Sequence, residues 1–97
     1  MSDQNDQDRP PDPLVEFILE QASGDQPPTP VDIARGFAVG RVKPKDGPDA
    51  WRRYLNPVKQ QILHLARAGM IDVLRNGKKV DPDEARGVTR IRLADPI

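Results

Sequence analysis

The stretch AGMIDVLRNGKK, residues 68–79, decides the fold that the sequence predicts. A helical pattern ends at the glycine, and the four residues that follow Met70, 71–74, read as a β-strand. Asn76-Gly77 then favours the positive backbone angles of a tight hairpin turn. The residues on both sides of that turn are cationic. A helix that leads directly into a strand with a positively charged turn is typical of the wing that follows a DNA-reading helix.

The residues before this stretch form the most regular helical pattern in the chain. Val58, Ile62 and Leu65 recur at the spacing of one helix face, and the pattern predicts a helix over residues 57–68. The opposite face is polar and carries Gln60, His64 and Arg67.

Upstream, the sequence predicts two further helices. Asp12-Pro13 is an N-cap followed by proline, which predicts a helix over about residues 13–23. Thr29-Pro30 starts a second helix that ends at Gly40, although Gly36 weakens it. Its predicted apolar stripe consists of Val31, Ala34 and Phe37 or Ala38.

The connection to the third helix leaves two geometries open. Pro48 opens a short helical stretch in which Trp51 is expected to be a core anchor. Either that piece ends near Leu55 and a new helix starts at Pro57, or one long helix kinks at this proline.

Residues 88–93, VTRIRL, alternate well and are expected to return antiparallel to residues 71–75. Asp72 then lies near Arg90 or Arg92 as a cross-strand ion pair. The predicted fold is α+β and mostly α. It is a winged helix-turn-helix over residues 13–94, with three to four helices followed by a two-stranded β-hairpin wing.

Composition narrows the function further. The chain of 97 residues has no cysteine and a formal net charge of zero. Residues 1–34 hold eight acids and one base, whereas residues 35–92 hold fourteen bases and six acids. The polar, acidic segment 1–12 is expected to be disordered. Without a long apolar run or a targeting signal, the protein is expected to be cytoplasmic and not to bind a membrane.

The stretch from Trp51-Arg52 to Ile71, and above all GKKVDPDEARGVTRIRL, resembles an uncharacterised bacterial family of small winged-helix domains, a domain of unknown function. The resemblance covers about residues 13–94 and differs at Val88, where proline is expected. It implies the fold and adds no functional residues.

Residue patterns typical of enzymes, metal sites or cofactor sites are missing from the sequence. His64 is the only histidine and has no acid three or four residues away. Asp81, Asp83 and Glu84 read as turn chemistry rather than as a calcium loop. No catalytic, cofactor or metal residues are therefore expected.

Double-stranded DNA is the expected partner, bound through helix 57–68 and the wing 75–79. A protein-interaction module on the same fold is the alternative, because fold does not fix function. The sequence leaves the oligomeric state open. The residues expected to contact nucleic acid are Arg52, Arg53, Gln60, His64, Arg67, Arg75, Lys78 and Lys79.

Overall fold

The computed structural model describes residues 12–94, so residues 1–11 of the segment predicted to be disordered lie outside this range. Helix α1 runs over Pro13–Ala22. The Leu14 N–H donates to the Asp12 carboxylate at 2.9 Å, so Asp12 is the predicted N-cap. Leu14, Ile18 and Ala22 form its buried face, as their helical spacing predicts.

Helix α2 runs over Pro30–Ala38 and begins with a reciprocal capping box. The Thr29 N–H donates to the Asp32 carboxylate, and the Asp32 N–H donates to the Thr29 hydroxyl, both at 3.1 Å. The buried side chains of this helix are Ile33, Ala34, Phe37 and Ala38. The predicted stripe was therefore wrong at one position, because Val31 lies on the exposed side and Ile33 takes its place in the core.

The connection to the third helix contains two short 3-10 helices, Pro44–Asp46 and Ala50–Tyr54. Helix α3, Leu55–Arg67, follows the second one without a break. Pro57 is the third residue of α3, where a backbone N–H has no partner inside the helix, so proline removes no hydrogen bond there. The two-piece alternative therefore describes the chain, but the boundary lies before Leu55 rather than at Pro57. Asn56 lies within the helix and is not its cap.

Helix α3 ends in the way its glycine predicts. Gly69 has a φ of 78°, a backbone angle that glycine adopts without strain. Its N–H donates to the Ala66 carbonyl, and the Met70 N–H donates to the Leu65 carbonyl, each at 3.0 Å. This pair of bonds satisfies carbonyls that the last helical turn leaves free and directs the chain into the sheet.

The sheet has three antiparallel strands, one more than the predicted hairpin. They are β1 (Ile71–Arg75), β2 (Lys78–Val80) and β3 (Arg90–Leu93), in the order β2-β1-β3. Asn76 and Gly77 form the predicted tight turn, with φ of 54° and 80°. The residues after the turn form a true strand, because β2 pairs with β1 over three residues before the chain leaves for the loop of residues 81–89.

One sheet face packs on the three helices. Ile71, Val73 and Ile91 point into the core, where they join buried residues of all three helices. The Ile91 N–H also donates to the Pro28 carbonyl at 2.9 Å, so the connection between α1 and α2 lies along the outer edge of β3. The core thus holds α3 and the β1–β2 hairpin together in one arrangement.

Candidate nucleic-acid interface

Helix α3 presents a polar face to solvent. Gln60 and His64 are exposed on this face, as their spacing predicts. Lys59, which lies on the flank of the same helix, is exposed as well and was not among the residues predicted from the sequence. The position of Lys59 next to the predicted polar stripe could have identified it as a candidate from the sequence. The face therefore offers two side chains that can hydrogen-bond base edges and one cation beside them.

Arg67, at the end of the same face, is bound to an acid. Its guanidinium group contacts the Asp83 carboxylate, which lies in the loop after β2. Both side chains are more than half exposed, so water screens the pair and it contributes little stability. The contact nevertheless ties the loop to α3 and neutralises one of the predicted DNA-binding cations.

The strand register divides the wing cations between two sides of the sheet. Arg75 pairs with Lys78, so the two side chains lie on one face. Because Ile71, Val73 and Arg75 are every second residue of β1, they lie on the same face, and that face packs on the helices. The Arg75 guanidinium lies 3.9 Å from the position of a Cβ built on Gly87. Arg75 and Lys78 thus project on the side of the sheet that carries α3.

Lys79 lies on the opposite sheet face. Its ammonium group is 3.3 Å from the Asp72 carboxylate, which is also 3.4 Å from Nε of Arg92. Asp72 is only 6% exposed and is the one buried charged residue among residues 12–94. The predicted cross-strand ion pair thus forms with Arg92. Arg90 instead donates to the Pro27 carbonyl at 2.8 Å.

Arg52 and Arg53 are exposed just before α3 begins. Arg52 lies 4.0 Å from Asp49, and its guanidinium carbon is 5.6 Å from the centre of the Trp51 ring. Arg35 of α2 lies closer to that ring, at 4.6 Å. Trp51 is half-buried against the core, as expected of an anchor, and two cations lie against its ring.

Other bases were not singled out from the sequence. Lys43 and Lys45 are exposed in the connection before α3, and Arg86 is exposed in the loop after β2. Arg41 donates to the Phe37 carbonyl and lies 3.9 Å from the centre of the Phe37 ring. Loop residues lack a period, so no sequence pattern could place these cations on a face.

A groove separates α3 from the loop that follows β2. Its volume is about 660 Å³. Three elements line it, namely the start of α2, the flank of α3 and residues 82–89, with Val73 of β1 at the base. Most of the lining is apolar, and Lys59 is the one charged side chain among the described residues that line it.

The surroundings of Asp32 change the acidity of its carboxyl group. The Thr29 backbone N–H, supported by the Thr29 side chain, lowers the pKa of Asp32 below its ordinary value of 3.8. Arg90 and Arg35 add a smaller effect in the same direction. The capping box therefore keeps a negative charge at the start of α2, where the helix dipole favours one.

Clusters of potential metal ligands and membrane-spanning helices are both missing from the part of the chain that the structure describes. No group of three or more potential metal ligands is present within residues 12–94. None of the helices in this range has the length and apolar character needed to cross a membrane.

The molecule is thus a small α+β protein, mostly helical, with an exposed polar helix face next to a cationic hairpin. The chain belongs to a family described as "Protein of unknown function (DUF3253)", whose sequence profile matches residues 12–94. No curated protein matches the sequence.

Proposed function

We propose that the protein is a winged helix-turn-helix domain that binds double-stranded DNA. In this proposal α3 enters the major groove and the β1–β2 hairpin is the wing. The observation that carries it is the placement of Arg75 and Lys78 on the sheet side that carries α3. The two cations and α3, whose exposed side chains are suited to base edges, thereby lie on the same side of the sheet.

The contacts have different roles in this proposal. Gln60 and His64 meet base edges, which carry sequence information. Arg75 and Lys78 meet phosphates, which carry affinity without sequence preference. Arg52 and Arg53, just before α3, also meet phosphates. Arg67 has to exchange Asp83 for DNA, so its net contribution is smaller.

In this proposal Lys79 has a different role from the one that the sequence predicts. A lysine that neutralises the buried Asp72 from the opposite sheet face is a structural residue, and the proposed interface does not include it. The two neighbouring lysines of one hairpin therefore provide a matched pair of variants.

The test compares Lys78→Gln, alone and with Arg75→Gln, with Lys79→Gln in titrations of a duplex at several salt concentrations. We expect the Arg75/Lys78 double variant to weaken binding to all duplexes alike. The slope of log affinity against log salt should flatten by roughly 0.9 for each phosphate that is no longer neutralised. Lys79→Gln, which removes the same charge from the same hairpin, should leave the slope nearly unchanged.

Equal effects of the Lys78 and Lys79 variants would contradict the assigned face, because net charge alone would then explain them. A parent protein that binds no duplex at low salt would overturn the whole proposal. The alternative function is then a protein-interaction module. The exposed apolar side chains at the groove, Val31 at 36% and Val88 at 76% exposure, favour that alternative.

A further inference from the structure

We propose that the groove between α3 and residues 82–89 binds a small amphipathic anion, with one carboxylate and an aliphatic body. This inference does not require the chain to bind DNA. It rests on the shape of the groove, on its apolar walls and on a single lysine.

The volume of the groove, about 660 Å³, falls in the usual range for small-molecule sites, which are concave, mostly apolar and contain few polar groups. Elements distant in sequence form its walls, so the core fixes their spacing. The apolar part of the lining consists of Pro30, Val31, Ile62, Leu63, Val73, Pro82, Ala85 and Val88.

The apolar walls extend to the rim of the groove. Val88 is 76% exposed although it lies beside a cavity that other valines and a leucine line. An aliphatic chain in the groove would cover Val88 and Val31 and remove their surface from water, which favours binding roughly in proportion to the apolar area covered.

Lys59 sets the charge of the ligand. Within residues 12–94 it forms no salt bridge, unlike Lys79 and Arg67, which each contact an acid. No acidic side chain of the described residues lines the groove. The Lys59 side chain is exposed, so its ammonium group is accessible to an anion bound in the groove and attracts it electrostatically. The hydroxyls of Thr29 and Thr89 add hydrogen-bonding groups at the same cavity.

These features together select a carboxylate with an aliphatic tail over a neutral or cationic ligand of the same length. The probes are therefore decanoate, decanol and decylammonium, all below their micellar concentrations. Each is titrated into the full chain without DNA and followed by calorimetry and by backbone amide NMR shifts.

We expect decanoate to bind saturably with one ligand per chain, and a few-fold more tightly than decanol, because an exposed ion pair contributes up to about 1 kcal/mol. Decylammonium should bind more weakly than decanol. The largest amide shifts on adding decanoate should fall on the residues of the groove, including Leu63, Ala85 and Val88.

Two variants test the assigned residues. Lys59→Met keeps an unbranched side chain and removes the charge, so it should abolish the preference for decanoate over decanol while decanol still binds. Val88→Asp places a negative charge at an exposed position on the rim and should weaken decanoate binding. Lys45→Met is the matched control, since Lys45 is exposed and does not line the groove, and it should preserve the preference.

The proposal is overturned if decanoate fails to bind the parent chain, if it binds no better than decanol, or if Lys59→Met keeps the preference. Amide shifts that fall outside the groove would overturn it as well. None of these outcomes bears on DNA binding, which the salt titrations test separately.

Discussion

At the scale of single residues, Gly36 lowers the helix propensity of α2, but the packing of α1 against α2 requires a residue without a side chain at this position. A glycine inside a helix costs about 1 kcal/mol relative to alanine, and for this reason it weakened the prediction of the second helix. In the structure, a Cβ at this position would lie 2.9 Å from Cζ of Phe17. The Phe17 ring packs against Phe37 with 5.7 Å between ring centres. Because glycine has no side chain, it permits α1 and α2 to approach each other closely at this point.

This contact predicts the outcome of a double-mutant cycle. Gly36→Ala alone should destabilise the protein by about 1 kcal/mol, because overpacking of about 1–3 kcal/mol exceeds the gain in helix propensity. In a Phe17→Leu background the ring is gone, and the same substitution should stabilise. Urea unfolding of the parent, the two single variants and the double variant measures the coupling free energy between positions 17 and 36. Additive effects would show that the two positions do not compete for space.

The ionisation of Asp32 at the start of α2 makes the stability of the fold depend on pH. Because its pKa is lowered in the folded state relative to the ordinary value of 3.8, its charged form stabilises the fold. That stability is fully present above the ordinary value and is lost as the pH falls through the folded pKa. Asp32→Asn should therefore be less stable than the parent at neutral pH, and the difference should disappear in acid.

Unfolding free energies of the parent and Asp32→Asn measured from neutral to acidic pH check this expectation. The effect should stay below about 1 kcal/mol, because water screens an exposed carboxylate. Asp25→Asn is the control, since Asp25 is exposed in the loop after α1. A difference between the parent and Asp32→Asn that persists in acid would assign the effect to the hydrogen bond rather than to the charge.

At the scale of elements, local patterns predicted the helices and turns well. The cap at Asp12, the stop at Gly69 and the Asn76-Gly77 turn all depend on residues next to one another in sequence, and all three are confirmed. The start of α3 was harder to predict, because Tyr54 caps it without a side-chain hydrogen bond. The third strand, β2, was not part of the predicted two-stranded hairpin, since its three residues can pair only once the turn has formed.

Substitutions on the exposed face of α3 test whether this helix reads the base sequence. We expect Gln60→Ala and His64→Ala to narrow the affinity gap between a selected duplex and random DNA, by up to about 1–3 kcal/mol for a bidentate contact. Their salt slopes should stay near that of the parent, because the same number of phosphates is neutralised. Stability should change by no more than about 0.5 kcal/mol, as both residues are exposed.

Gln61→Ala is the matched control for these variants. Gln61 is the same residue type one position further along, turned about 100° around the helix, and is half-buried. It should leave the preference between duplexes unchanged. If the Gln60 and His64 variants discriminate between duplexes as well as the parent does, α3 does not read base edges.

At the scale of the whole molecule, charge was the least predictable property. The sequence showed how many cations the chain has but not which acids they contact. Arg67 meets Asp83 sixteen residues away, and Lys79 and Arg92 share the buried Asp72. These pairs arise from tertiary packing and strand register, which a single sequence leaves open. Arg67 and Lys79, which the sequence predicts to contact DNA, are each paired with an acid as a result.

The acids of residues 1–34 lie partly in the described domain and partly in the segment before it. Of the eight acids among residues 1–34, five lie within the described residues, mostly in or beside α1 and α2. Only Asp3, Asp6 and Asp8 lie in the segment before Asp12, together with one base, Arg9. The segment therefore carries less negative charge than the contrast between residues 1–34 and residues 35–92 suggested.

We expect this segment to compete with DNA for the cations of the domain. A negatively charged segment attached to a basic domain raises the local concentration of anions near the cations and competes with phosphates. Deleting residues 2–11, which keeps the Asp12 cap, should strengthen duplex binding by a few-fold at low salt. The advantage should vanish at higher salt as screening shortens the range of the interaction, and the melting temperature should stay nearly constant. A full-length protein with Asp3, Asp6 and Asp8 replaced by asparagine should behave like the deletion, because it removes the charge and keeps the chain. If the asparagine variant instead binds DNA like the parent while the deletion variant binds more tightly, the segment acts through its bulk. If neither variant differs from the parent at low salt, the segment does not compete with DNA.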